Sequence, residues 1–159
     1  MKAIVAIIVV LFALVSCQKD NAVLELAIPR VIAIDRTDTF LLKRLDSMYT
    51  SAVSIDTTDR VFVSAEGETQ LYTRWVEFHN LFASYLTSKD LHFEKSTPAF
   101  VTLYCSKSGS IDHAAYAFIE PIDSLKEKRY AQHLEEFIKT NGLGMTASKP
   151  YSQCGGVGY

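Results

Sequence analysis

The chain has 159 residues, with 16 Lys and Arg against 18 Asp and Glu and a formal net charge of −2. A near-neutral chain without a basic stripe excludes binding through the phosphate backbone of nucleic acid, which needs clustered Lys and Arg. At 48% hydrophobic and 21% charged residues, the composition is that of a folded chain rather than a disordered one.

The chain opens with Met1 and Lys2, followed by an apolar run from Ala3 to Leu14. That run is shorter than the roughly 20 residues a membrane span needs. A positive start, a short apolar stretch and small Ser16 form the order of a secretory signal peptide. Leu14-Val15-Ser16-Cys17 also resembles the lipobox of bacterial lipoproteins. The resemblance implies that Cys17 becomes the first mature residue, carries lipid and holds the protein on a membrane of the cell envelope, with the outer membrane favoured. The alternative is an ordinary cleaved signal in which Cys17 is incidental. The expected organisation is a signal peptide over 1–16, a lipidated tether over 17–22 and a single α+β domain over 23–159. Removing the leader leaves roughly 140 residues, one domain by length and enough to fold without a metal or dense disulfides. Gln18-Lys19-Asp20-Asn21 is similar to the surface-export signal of one lineage of Gram-negative bacteria, which implies the cell surface rather than the periplasmic face.

Residues 23–34 are mostly apolar and β-branched, interrupted by Pro29, and read as an edge strand or two short extended pieces. The polar turn Asp35-Arg36-Thr37-Asp38 leads into a helix over 40–49, with Leu41, Leu45, Met48 and Tyr49 on one face. Residues 51–60 read as loop and Val61-Phe62-Val63 as a short strand. The strongest helical pattern spans 68–86. There Leu71, Trp75, Phe78, Phe82 and Tyr85 form one stripe, and Tyr72, Val76 and Leu86 widen it. After a connector and Pro98, strands are predicted over 99–105 and 111–119, joined at Gly109 by a hairpin loop. Ser124 and Glu127 read as a capping box opening a helix with Tyr130, Leu134, Phe137 and Ile138 on its apolar face. Asn141-Gly142 closes that helix. Residues 145–159 read as a last strand with a glycine-rich, flexible end.

A hairpin followed by a returning helix makes the last strand parallel to the second. A small sheet preferring antiparallel neighbours then takes the order two-one-three, with strand one central and strand three outermost. A free edge on strand three is suited to pairing with a partner strand. Three cysteines occur. If lipid takes Cys17, Cys105 and Cys154 form an even pair in an oxidising compartment. A bridge between them would add on the order of 4 kcal/mol. The alternative is two buried, reduced thiols.

Helix–strand–strand–helix–strand over 68–159, with Phe100-Val101-Thr102-Leu103-Tyr104 and then Gly109-Ser110-Ile111, resembles the C-terminal domain of TonB-type energy transducers. The family's Tyr-Pro motif and transmembrane anchor are absent from these residues. The resemblance therefore implies a partner-binding module rather than energy transduction.

Catalytic signals are few. None of His79, His92, His113 and His133 has a partner at metal-binding spacing. His79 falls beside Trp75 at the edge of an aromatic face, and His133, beside Glu135 and Glu136, falls on a solvated one. Asp112-His113 is the best acid–base candidate, with Cys105 as nucleophile. Neighbouring strand residues point to opposite faces, however, so Asp112 is not placed to orient His113. The glycines at Gly155, Gly156 and Gly158 lack the following helix and Lys-Ser/Thr pair of a phosphate loop. Asp46-Ser47-Met48, Asp56-Thr57-Thr58 and Asp123-Ser124-Leu125 resemble a short bacterial O-glycosylation signal, with only Thr57 in a predicted loop. The expectation is a lipid-anchored, non-catalytic envelope protein that needs no cofactor or metal and acts on a protein partner. Two alternatives stay open: a small hydrolase or thiol enzyme using Cys105 and His113, and a ligand-binding lipoprotein using the aromatic face of 68–86.

Overall fold

The computed structural model of the chain describes residues 27–34, 39–53, 60–93 and 96–159. The leader, Cys17, the tether and Thr57 lie outside them. No helix among the described residues is long and apolar enough to cross a membrane.

Strand β3 (Pro98–Cys105) is the centre of the sheet, flanked on both sides by antiparallel partners, β4 (Ile111–Phe118) and β5 (Tyr151–Gly158). Two short strands extend it in parallel: β1 (Val31–Ala33) beside β4, and β2 (Thr50–Ser51) beside β5. The sheet is therefore mixed and five-stranded, in the order β1-β4-β3-β5-β2. This corrects the three-stranded antiparallel sheet: its two-one-three order is only the middle of the real one, and strand three is not outermost. β2 escapes sequence reading because two polar residues carry no periodicity. Val61-Phe62-Val63, expected as strand, is not one, although Phe62 N–H donates to Ala52 O at 3.1 Å.

Alternation along β3 separates two cores. Ala99, Val101, Leu103 and Cys105 face α2 (Ala65–Ser88) and α3 (Ser124–Ile138), whereas Tyr104 faces α1 (Thr39–Met48). Leu71, Trp75, Phe78 and Phe82 of α2 are buried, as their spacing predicts, and so is Leu86, expected to widen the stripe, whereas Tyr85 is only partly buried. Complete burial of a side chain of this kind contributes about 1.5–3 kcal/mol. Tyr72 and Val76, expected to widen the stripe, are instead 70% and 38% exposed, since one sheet and α3 cover only part of the helix circumference. Met48 of α1 is likewise exposed, and Leu42 packs in its place.

Caps set the helix limits. The Ser64 hydroxyl accepts from Gly67 N–H at 3.0 Å, and Glu66 and Glu68 occupy the first turn, so α2 starts before residue 68. Asp123, not Ser124, caps α3: its Oδ1 accepts from Leu125 and Lys126 N–H at 3.0 and 2.9 Å. The α3 face of Tyr130, Leu134, Phe137 and Ile138 is buried as predicted. The β3–β4 loop turns at Gly109, where φ is +83° and a Cβ would collide with the Met145 backbone. Its carbonyl also accepts from Leu143 N–H at 3.0 Å, docking the segment after α3 onto the hairpin.

The glycine-rich end is strand rather than flexible tail. Gly155, Gly156 and Gly158 pair with Val101, Phe100 and Pro98. The Trp75 ring packs on Gly155, where a Cβ would come within 3.2 Å of it.

Candidate functional site

The expected Cys105–Cys154 bridge does not form. Cys105 stands opposite Tyr151 in the ladder and Cys154 opposite Thr102, three positions further along. An odd offset places the two thiols on opposite faces of the sheet. Both are free, Cys105 buried and Cys154 exposed. Burial pushes the Cys105 thiol up to about 12, the reverse of what a nucleophile requires.

The acid–base pair does not assemble either, for a reason the sequence did not disclose. The register shifts at Tyr104/Cys105, so His113 faces Tyr104 and Ile111 faces Cys105, leaving Asp112 as the extra residue of a β-bulge. The bulge breaks strict alternation and brings both Asp112 and His113 to Tyr49. The Tyr49 hydroxyl donates to Asp112 Oδ2 at 3.0 Å, and its ring meets that of His113 edge-on at 6.4 Å. His113 Nδ1–H donates to the Pro29 carbonyl at 2.9 Å. Each member is thus engaged elsewhere, and Cys105 lies on the other face from His113.

The remaining histidines lie in separate surroundings. His79 is buried, with its ring 4.3 Å from that of Trp75 and Nδ1 2.9 Å from the Tyr159 hydroxyl. Burial lowers its pKa to about 4. His133 is not on a solvated face but against Tyr85, beside Glu136, which accepts from the Tyr85 hydroxyl at 2.9 Å. His92 is exposed, with Nε2 3.9 Å from Asp90 Oδ1. No group of three His, Cys, Asp or Glu among the described residues is arranged to hold a metal. The aromatic face of α2 is filled by the core, with Phe82 against Phe137, Tyr130 and Tyr159 at 5.1, 5.5 and 5.7 Å. It therefore offers no pocket to a ligand.

Open surface lies on the other side of the sheet. Helix α1 covers only the Tyr104 end, leaving a cleft of about 660 Å³ whose walls include Asp46, Tyr104, Phe100, Thr102, Ser152 and Cys154. The Tyr104 hydroxyl donates to Asp46 Oδ1 at 3.1 Å, and its ring meets that of Tyr49 at 5.3 Å. Burial first, and the adjacent carboxylates second, raise the pKa of both tyrosines. The Cys154 thiol is raised in the same way, by burial and then by Asp46. Among the described residues lining the cleft, Asp46 carries a charge and no Lys, Arg or His is present.

Next to the cleft runs the outer side of β5. β2 pairs only with Tyr151 and Ser152; among the described residues, no strand pairs with the Gln153–Gly158 stretch on that side. Sequence reasoning expected a wholly free edge on this strand; the cover of its start by β2 and the cleft beside it both depend on where α1 docks.

The fold is thus an α+β sheet with two helices on one face and one on the other. No known protein family matches the chain, and neither the curated proteins nor the solved structures include a match to it.

Proposed function

We propose that this chain is a lipid-anchored protein of the bacterial cell envelope, held by Cys17 on the outer membrane, that acts by binding a protein partner rather than by catalysis. The observation carrying this reading is the outer side of β5. From Gln153 to Gly158 it has no charged residue, no proline and no bulge, the devices that normally protect a sheet edge from pairing. Such an edge accepts an extended segment through its backbone amides and carbonyls once the Gln153 side-chain amide, which donates to the Cys154 carbonyl at 3.0 Å, swings aside. Residues 68–159 act as the partner-binding module that the TonB-like element order implies. A thiol-enzyme reading gains nothing from a buried Cys105 on the opposite face of the sheet from His113.

Crosslinking in cells followed by affinity capture is expected to recover one dominant envelope protein, with recovery lost in Gly156→Pro, which obstructs the edge. Recovery unaffected by that substitution, or turnover of a small substrate with no specific protein recovered, would reverse the reading. Labelling with palmitate is expected in the native chain and absent in Cys17→Ser.

A further inference from the structure

A strand laid along the open part of β5 would continue the line of β2, whose Ser51 stands beside Ser152 on the α1 side of the sheet. Alternate side chains of that strand would fall on the same side, next to Cys154 and Gly156. Space is available there. Among the described residues, a Cβ built on Gly156 meets nothing within 4 Å, and Phe100, the residue paired with it on β3, is 44% exposed. Asp46 forms part of the same cleft wall as Cys154, and no basic side chain among the described residues lines that cleft. A carboxylate and an exposed aromatic ring lining one cleft each attract a cation and disfavour an anion.

Resting on the strand-edge reading above, we propose that the segment recruited to β5 is an extended stretch carrying Lys or Arg at the position beside Cys154 and Gly156, with its cation in the cleft that Phe100 and Asp46 help to line. The backbone edge supplies pairing without sequence preference; the cleft supplies the choice of side chain. Selection at one side-chain position on a backbone-paired strand is how edge recognition gains specificity.

Three short peptides of alternating Val and Thr, differing only in a central Lys, Gln or Glu, test this on the full chain. Amide shifts of Cys154 and Gly156 report where they bind, and anisotropy reports affinity. All three are expected to shift the Gly156 amide, the Lys peptide binding about tenfold tighter than the Glu peptide. That ratio is expected to fall to about twofold in Asp46→Asn and in about 1 M salt. Equal affinity of the Lys and Glu peptides, with the Gly156 amide still shifted, would overturn the cation preference and leave the edge reading standing. A Gly156 amide unmoved by any peptide would remove the edge reading and this inference with it.

Discussion

Gly155 and Gly156 are neighbours in one strand, yet opposite consequences follow from adding a methyl group to each. At Gly155 it meets the Trp75 ring at 3.2 Å; a larger branched group must displace that ring from the core. Gly155→Val is expected to cost about 1–3 kcal/mol, and Gly156→Ala to stay within about 0.5 kcal/mol, both read from urea midpoints. His79 makes a second prediction at this scale. Its pKa of about 4 in the folded chain lies below the ordinary value near 6.5. The unfolded chain therefore binds more protons between those values. Stability from a neutral His79 is fully present above about pH 6.5 and is lost as pH falls toward 4, by up to about 3 kcal/mol. Urea unfolding at a series of pH values checks this: His79→Gln is expected to flatten the dependence in that window. Glycine spacing and an aromatic neighbour were visible in the sequence, but which glycine meets the tryptophan depends on register, which no local pattern specifies.

Among elements, those with long, regular burial were legible and the short ones were not. The α2 stripe from Leu71 to Leu86 and the α3 face from Tyr130 to Ile138 announce themselves because their neighbours cover one continuous side. β2 has two residues, and its pairing to Tyr151 and Ser152 is a tertiary event. Helix starts carry the same lesson at finer grain: Asp123-Ser124 offers two capping side chains in succession, and backbone geometry selects the aspartate. Asp123→Ala is expected to lower stability by about 1 kcal/mol, whereas Ser124→Ala should change it by less than about 0.5 kcal/mol. Thermal unfolding of the two variants distinguishes them; equal losses would restore the capping box.

At the scale of the whole molecule, the sheet divides the chain into a filled side and a side that the described residues roof only in part. Native alkylation followed by mass spectrometry checks that division: Cys154 is expected to react and Cys105 to react only after unfolding, with no bridged peptide in the unreduced digest. The α+β class was legible from the alternation of elements. The cleft was not, since Asp46, Tyr104 and Cys154 are 58 and 50 positions apart in the chain and meet only when α1 docks. The Asp112 bulge was equally hidden, because one extra residue in a ladder leaves the apolar pattern of β4 intact.

The chain's single tryptophan leans on the backbone of the very strand whose outer margin, from Gln153 on, no described strand covers. That contact makes the indole an intrinsic optical gauge of whether β5 is seated. Emission that reddens as the strand lifts, and stays blue while a guest segment binds along the far margin, would separate occupancy from unravelling without any label.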